Sequence, residues 1–243
     1  MNSGEVPRPD PRRIAPFETM GARDAQVDSR LWDRHLERLA RNAARAGLAL
    51  ELPAELRAAA AELLLQSNHG DGILRLALLP VGDAVHVAMT SRLKSPAHSV
   101  LLLPTVVERQ GDLPPPDVKA APRTFYDAVL QQAQDGGADD GIVVDRDGGV
   151  LETALSNLWL RLDGGWVTPP LDGRVLPGIA RAVLLEHGSS HGLRERAIDL
   201  ADLHRAEAIA VSNAVYGPRA AGLVGHGRPE VDLVRSELGG FWL

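Results

Sequence analysis

The spacing of apolar positions predicts helices followed by strands in the first half of the chain. From Ser29, leucine and alanine recur at helical spacing, which predicts a helix with Ser29 as its N-cap and Gly47 as its end. A second helix is predicted over residues 54–65. Runs rich in aliphatic side chains then predict strands at residues 73–79, 84–90 and 99–103. This order indicates an α+β unit.

The second half of the chain shows the same mixture. A helix is predicted over residues 123–134 and a strand over 142–144, followed by the turn Asp147-Gly148-Gly149. A hairpin is predicted over residues 157–168, around Asp163-Gly164-Gly165. Further helices are predicted at residues 178–186, 193–203 and 230–238, and a further strand at 208–211. The second half therefore forms another α+β unit.

One segment has the composition of a linker. Residues 110–116 read QGDLPPP, and consecutive prolines can neither join a sheet ladder nor continue a helix. We therefore expect a small N-terminal α+β domain over residues 1–110, a linker over 111–118 and a larger domain over 119–243. The polar, proline-broken start predicts that the first ~14 residues lack regular structure.

Composition narrows the class of protein. The chain has 243 residues, 44% of them hydrophobic, which is enough for a sizeable core. A formal charge of -6 disfavours binding to nucleic acid or to an anionic membrane surface. The sequence contains neither a secretion signal nor an apolar run of membrane-spanning length, so we expect a cytoplasmic protein. The absence of cysteine excludes thiolate chemistry, and we expect no metal site.

Lysine is unusually rare. Lys94 and Lys119 are the two lysines, and arginine supplies the other basic side chains. Arginine can replace lysine wherever only a surface charge is needed, but it cannot become the neutral amine that attacks a carbonyl. Arginine-rich composition and chance could leave two lysines in place, so each lysine needs further context.

Context singles out Lys119. It follows the proline-rich segment, Glu152 follows the glycine turn, and Leu176-Pro177-Gly178 opens a predicted helix. Pyridoxal phosphate requires an amine, an anion for its pyridine nitrogen and donors for its phosphate dianion. Lys119 and Glu152 are candidates for the first two needs, and the helix N-terminal amides of Ile179 and Ala180 for the third.

The order of these segments resembles the fold type IV pyridoxal-phosphate enzymes, also called the class IV aminotransferases. The resemblance runs from about residue 17 to residue 223. The matching segments are Phe17-Glu18-Thr19, Arg34-His35-Leu36-Glu37-Arg38-Leu39, Lys119, Leu151-Glu152-Thr153, Ser156-Asn157-Leu158, Thr168-Pro169-Pro170-Leu171 and Leu176-Pro177-Gly178-Ile179-Ala180-Arg181.

The resemblance implies the architecture and the role of each site residue. It implies an α/β (α+β) two-domain fold like that of D-amino-acid aminotransferase, with pyridoxal 5'-phosphate between the domains, usually in a homodimer. Lys119 would be the Schiff-base lysine and would shuttle a proton, and Glu152 would face the pyridine nitrogen. The phosphate would be held by the remaining cofactor-binding residues, Arg38, Ile179, Ala180, Asn213 and Ala214.

Three functions stay open. Residues 212–217, SNAVYG, are closer in wording to aminodeoxychorismate lyase than to the aminotransferases, so the first hypothesis is a lyase that forms 4-aminobenzoate and pyruvate. The second is a branched-chain or D-amino-acid aminotransferase, which shares the same cofactor residues. The third is a degenerate, non-catalytic homologue, because Pro122 and Ala214 depart from the family wording. The family's usual N-terminal strand pair is also not matched before Phe17.

The residues that would bind a substrate carboxylate are not identified by the pattern. Arg92, Arg123 and Arg219 could each bind one, and the sequence does not rank them. The substrate is expected to be a small amine.

Overall fold

The structure is a computed structural model that describes residues 12–106, 109, 114–227 and 229–242. In chain order the strands are β1 (Ala15–Gly21), β2 (Gly72–Val81), β3 (Ala84–Leu93), β4 (Val100–Thr105), β5 (Ala120–Ala121), β6 (Asp140–Val144), β7 (Gly149–Thr153), β8 (Asn157–Leu162), β9 (Gly165–Thr168), β10 (Arg194–Glu195), β11 (Ile198–Asp199), β12 (Ala208–Asn213) and β13 (Gly217–Leu223). The helices are α1 (Ser29–Arg45), α2 (Leu56–Gln66), α3 (Thr124–Asp135), α4 (Ile179–Gly188), α5 (Leu200–Arg205) and α6 (Val231–Glu237).

The chain divides into two compact units. One unit contains Met1–Ser95 and Val118–Pro122, and the other contains Pro96–Asp117 and Arg123–Leu243. This division differs from the predicted boundaries, because residues 96–110 belong to the second unit and residues 119–122 to the first. Residues 111–113 of the predicted linker and residues 1–11 of the predicted irregular start lie outside the described residues.

The first unit packs two helices on a small antiparallel sheet. The strand order is β3-β2-β1-β5. Along β2, buried and partly exposed positions alternate, and its buried leucines form one apolar cluster with side chains of α1. The fully buried side chains of this core include Leu39, Leu64, Leu74 and Leu76. The short strand β5 pairs with the start of β1 and thereby fixes the backbone next to Lys119.

The second unit is built on a nine-stranded mixed sheet. Its order is β10-β9-β8-β12-β13-β4-β6-β7-β11, and β7 also pairs with β8. This additional pairing closes β8, β12, β13, β4, β6 and β7 into a ring. A single apolar cluster that includes Leu102, Ile142, Leu158, Leu160 and Val211 forms the principal core of this unit.

Two details of the predicted elements are wrong. The predicted helix over residues 193–203 is two short strands followed by α5, because Arg194 pairs with Val167 and Ile198 pairs with Val150. The N-cap of α1 is Asp28 instead of Ser29, and the Asp28 side chain accepts a hydrogen bond from the Arg30 amide.

Candidate functional site

Lys119 lies in the first unit at the point where the chain enters β5. Its carbonyl oxygen accepts a hydrogen bond of 3.1 Å from the Phe17 amide, which extends the β1–β5 pairing by one residue. Its Nζ atom is 4.8 Å from the centre of the Phe17 ring, and Cζ of Arg75 is 3.6 Å from the same centre. The buried aromatic ring therefore provides an apolar, electron-rich surface beside the amine.

A buried group of three ionisable side chains lies behind β1 in the same unit. Glu18 receives hydrogen bonds from Arg38, with Nε to Oε1 at 2.9 Å and Nη2 to Oε2 at 2.6 Å. His35 Nδ1 lies 2.6 Å from Oε2 of the same carboxyl group. Both Glu18 and His35 are fully buried, so this charge arrangement is isolated from water.

Burial and neighbouring charges shift the pKa values of Glu18 and His35 in opposite directions. Burial alone would raise the pKa of Glu18, but the charge of Arg38 and the hydrogen bonds from Arg38 and His35 lower it to about 2. Burial lowers the pKa of His35, although Glu18 favours its protonated form. We therefore assign an anionic Glu18 and a neutral His35 that donates from Nδ1. Nε2 of His35 has no hydrogen-bond partner among the described residues.

This arrangement affects the role expected of Arg38. One edge of its guanidinium group, formed by Nε and Nη2, already binds Glu18, and its side chain is only 5% exposed. The charge of Arg38 is thus matched by that of Glu18 within the first unit. Binding of a phosphate by Arg38 stays a prediction.

Glu152 lies near the end of β7 in the second unit and is buried. Tyr126 donates a hydrogen bond from its hydroxyl group to Oε1 at 2.7 Å, and the Leu176 amide donates to Oε2 at 3.1 Å. Burial, together with the negative charge of Glu152, raises the pKa of Tyr126, so the phenol keeps its proton and donates. The carboxylate is therefore held from two sides.

Asn157 links this carboxylate to the start of α4. Its Nδ2 atom donates to the Leu176 carbonyl at 2.9 Å and lies 3.4 Å from Oε2 of Glu152. A Cβ atom added to Gly178 would lie 1.8 Å from Oδ1 of Asn157. A larger residue at position 178 would therefore have to displace the Asn157 side chain, which binds Leu176.

The N-terminus of α4 keeps its amides available for a ligand. Gly178 is the N-cap residue, and no side chain of the described part of the protein caps the helix. The first amides of a helix have no carbonyl partner within it, so those of Ile179 and Ala180 can donate to an anion. This helix start adjoins Leu176, whose amide binds Glu152.

Asn213 ends β12 and forms the turn into β13. Its Oδ1 atom accepts hydrogen bonds from the amides of Val215 and Tyr216, both at 3.1 Å, and its Nδ2 atom donates to Ser156 Oγ at 3.0 Å. The side chain is thus occupied in shaping the turn, which leaves backbone groups at Asn213 and Ala214 for any cofactor contact. Their predicted roles are not tested by this geometry.

The second unit contains a donor set that suits pyridoxal phosphate. A buried carboxylate suits a protonated pyridine nitrogen, and an uncapped helix N-terminus suits a phosphate dianion. Asn157 and Leu176 join these two features. Leu176 donates its amide to Glu152, and Asn157 binds the Leu176 carbonyl and packs against Gly178. No group of metal-ligating side chains is found in the described part of the chain, and no helix there is long and apolar enough to cross a membrane.

Sequence reasoning did not identify the side chains that hold these groups. The sequence pattern marks Glu18 only as part of a matching segment and assigns no role to Tyr126 or Asn157. Asn157 follows Glu152 by five residues, a separation that lets two residues face each other across a turn. In the structure the two residues pair directly. Tyr126 is far from Glu152 in the sequence, and no local pattern indicates their contact.

Comparison with known proteins agrees with the expected fold. A profile of the class IV amino-transferase family matches residues 15–221. Solved structures with a similar fold include a candidate 4-amino-4-deoxychorismate lyase from Legionella pneumophila, with a TM-score of 0.77, 22% identity, and coverage of 93% of this chain and 91% of that chain. A search of curated proteins found no match.

Two further solved structures are aminotransferases by description. One is a candidate amino-acid aminotransferase from Mesorhizobium loti, with a TM-score of 0.72, 26% identity, and coverage of 86% of this chain and 99% of that chain. The other is a hypothetical aminotransferase from Mycobacterium tuberculosis in its pyridoxal-phosphate-bound form, with a TM-score of 0.77, 22% identity, and coverage of 99% and 94%. These findings confirm the mixed α/β fold type IV. The chain belongs to the class IV amino-transferase family, whose members are pyridoxal-phosphate-dependent enzymes.

Proposed function

We propose that Lys119, Glu152 and the N-terminus of α4 bind pyridoxal phosphate in the roles that the family resemblance implies. The observation that carries this proposal is the hydrogen-bonded loop that joins buried Glu152 to the uncapped start of α4. Lys119 would provide the amine that bonds to the cofactor, and Glu152 would accept a hydrogen bond from the ring nitrogen of the cofactor. The amides of Ile179 and Ala180, with Arg38 and the backbone at Asn213 and Ala214, hold the phosphate.

The protein's own groups prepare the chemistry. Bound pyridoxal phosphate supplies an aldehyde for a substrate amine and a ring that takes up electrons from the bond that breaks. Tyr126 and the Leu176 amide hold Glu152 in one orientation, since both donate hydrogen bonds to its oxygens. Lys119 Nζ takes up and returns a proton at the substrate. The Phe17 ring restricts the approach of water to this amine from one side.

We propose that the reaction is the conversion of 4-amino-4-deoxychorismate into 4-aminobenzoate and pyruvate. The bond between the substrate ring and the oxygen of its enolpyruvyl group breaks. A ring hydrogen leaves as a proton that Lys119 accepts. The leaving group takes up a proton and becomes pyruvate, so atoms and charge balance. Support comes from the lyase-like wording of residues 212–217 and from the fold of the Legionella pneumophila protein.

An aminotransferase is the second candidate. It is favoured by the Mesorhizobium loti structure, which has 26% identity to this chain and is described as an amino-acid aminotransferase. Both reactions need the same cofactor residues, because they differ only in the bond that breaks after the amine is bound. The geometry of those residues therefore does not separate the two candidates.

Product analysis separates them. Purified protein loaded with pyridoxal phosphate is incubated with 4-amino-4-deoxychorismate, and 4-aminobenzoate and pyruvate are measured by chromatography. A parallel sample receives a panel of branched-chain and D-amino acids. The proposed lyase forms both products and leaves the cofactor as pyridoxal phosphate. An aminotransferase would instead release no pyruvate from 4-amino-4-deoxychorismate. It would convert amino acids to keto acids and accumulate pyridoxamine phosphate.

Two expectations accompany this proposal. Family resemblance supports a homodimer, and the sequence supports a cytoplasmic location. Light scattering of the purified protein measures the first, with a mass of about twice the 26.0 kDa of one chain as the expected result. Binding of the cofactor without turnover of any tested amine would favour the third, non-catalytic function.

A further inference from the structure

Arg219 is a half-buried cation that has no anionic partner among the residues that the structure describes. It lies in β13 opposite Val211 of β12, and its Cζ atom is 4.5 Å from the centre of the Tyr216 ring. Its guanidinium group makes no ion pair or hydrogen bond with any residue that the structure describes, and its buried Nε atom has no partner. The stacked ring orients the guanidinium plane but leaves its charge unmatched.

Other arginines of the same unit are used differently. Arg161 binds Glu237 through Nε at 2.8 Å and also pairs with Glu207. Arg181 also has an unpartnered Nε, but its Nη2 atom donates to Glu195 at 2.5 Å. Partial burial of a charge without a partner is costly, and it is the feature that distinguishes Arg219 from these structural arginines.

The two acidic side chains that act electrostatically on Arg219 are held by other groups. Asp140 and Asp139 both act on it electrostatically, but each is engaged elsewhere. Asp140 accepts hydrogen bonds from the Gly141 amide and from Thr153 Oγ1, and Asp139 accepts one from the Leu101 amide. Burial raises the pKa of Asp140 to about 6, which further reduces the negative charge available to Arg219.

A short series of contacts connects Arg219 with the residues assigned to the cofactor. The Arg219 side chain stacks on Tyr216, whose amide binds Asn213 Oδ1 at 3.1 Å. Asn213 in turn binds Ser156 Oγ at 3.0 Å, and the Ser156 amide binds Thr153 Oγ1 at 2.9 Å. Thr153 directly follows Glu152. Arg219 thus belongs to the same edge of the strand ring as the carboxylate, where β7 and β12 end and β8 and β13 begin.

We propose that Arg219 binds an oxyanion, namely the phosphate of the cofactor or a carboxylate of the substrate. This identification of the ligand rests on the proposed function. The structure also ranks the three arginines that the sequence left equivalent. Arg92 is exposed in the first unit, and Arg123 donates to the Ala154 carbonyl at 2.7 Å, whereas Arg219 has its charge available.

Simple anions test the proposal independently of turnover. The full chain, freed of cofactor, is titrated with inorganic phosphate and with pyruvate, and binding is followed by amide chemical shifts. Wild type should bind at least one of them, and Arg219→Gln should weaken that binding about tenfold or more, since a charge-assisted contact is lost. Arg219→Lys should retain part of it. The control is Arg205→Gln, which removes an exposed arginine paired with Asp202 and should change nothing.

Two paired titrations distinguish the sources of the anion. If the ligand is the cofactor phosphate, Arg219→Gln weakens binding of pyridoxal phosphate but not of pyridoxal. If it is a substrate carboxylate, both cofactor affinities stay unchanged, and the loaded protein loses affinity for alanine but not for ethylamine.

The proposal is overturned if folded Arg219→Gln binds every probe as tightly as wild type. Circular dichroism establishes folding, and Arg219→Lys serves if the glutamine variant unfolds. A wild type that binds neither anion also overturns it. Failure of the proposed function looks different: the anions would bind in an Arg219-dependent manner, while pyridoxal phosphate would form no covalent bond with Lys119.

Discussion

Glu18 is the residue whose ionisation is most closely tied to the fold of the first unit. Its carboxylate is fully buried and is bound by Arg38 and His35. We expect Glu18→Gln to lower the free energy of unfolding at pH 7 by about 3–5 kcal/mol, because Arg38 would keep its charge without a buried partner. Urea unfolding measures the change. Glu37→Gln, on the exposed side of the helix α1 that carries His35 and Arg38, is the control and should have almost no effect.

The stability contributed by Glu18 should depend on pH. Its pKa is lowered from an ordinary value of 4.5 to about 2 in the folded protein, so its contribution to stability is present above about pH 4.5 and is lost as the pH falls towards 2. The shift corresponds to about 3 kcal/mol. The difference in unfolding free energy between wild type and Glu18→Gln should therefore narrow between pH 5 and pH 3. A difference that stays constant over this range would contradict the assigned ion pair.

Gly178 is a residue whose size is fixed by a neighbour. A Cβ atom there would lie 1.8 Å from Oδ1 of Asn157, so Gly178→Ala must displace the side chain that binds Leu176. We expect a loss of about 1–3 kcal/mol in unfolding free energy, measured by urea denaturation. Gly227→Ala is the control, since nothing lies within 4 Å of its added Cβ. Equal stabilities of the two variants would mean that Asn157 does not pack against Gly178.

The start of α1 gives a direct test of which residue caps this helix. Asp28 accepts a hydrogen bond of 2.9 Å from the Arg30 amide, whereas Ser29 is the first helical residue. We expect Asp28→Ala to cost about 1 kcal/mol in thermal unfolding and Ser29→Ala to cost much less. The reverse order would restore Ser29 as the cap.

Elements with a strong local signal were predicted well. The hydrophobic stripe predicts α1, and the Asp163-Gly164 turn, with φ values of 54° and 75°, connects the predicted hairpin strands β8 and β9. The prediction fails where tertiary pairing decides the structure. Residues 193–203 have apolar spacing compatible with a helix, yet their backbone pairs with β9 and β7. Strand β1 was not predicted as a strand, although its pairing with β2 and β5 organises the first unit.

The sequence indicates the catalytic chemistry but not the side chains that hold the catalytic groups in place. The rarity of lysine and the order of the motifs singled out Lys119 and Glu152, and the family match confirms the class of enzyme. Tyr126 could not be assigned to Glu152 from the sequence, because the fold alone brings a helix side chain to a strand 26 residues away. The unpartnered state of Arg219 also depends on where Asp139 and Asp140 direct their oxygens.

The division into units also depends on strand pairing that the sequence does not show. A proline-rich segment predicted a single crossing of the chain from one domain to the other. The structure instead assigns Val118–Pro122 to the first unit, because β5 pairs with β1. The pairing of Ala120 and Ala121 with β1 therefore places Lys119 in the first unit, although the preceding segment has the composition of a linker.

The most direct measurement concerns the covalent bond between pyridoxal phosphate and Lys119. Protein incubated with the cofactor is reduced with borohydride, and the attached mass is located by peptide mass spectrometry in wild type, Lys119→Arg and Lys94→Arg. We predict one cofactor per chain on Lys119 in wild type and in Lys94→Arg, and none in Lys119→Arg. Attachment that persists in Lys119→Arg, or that is lost in Lys94→Arg alone, would contradict the account.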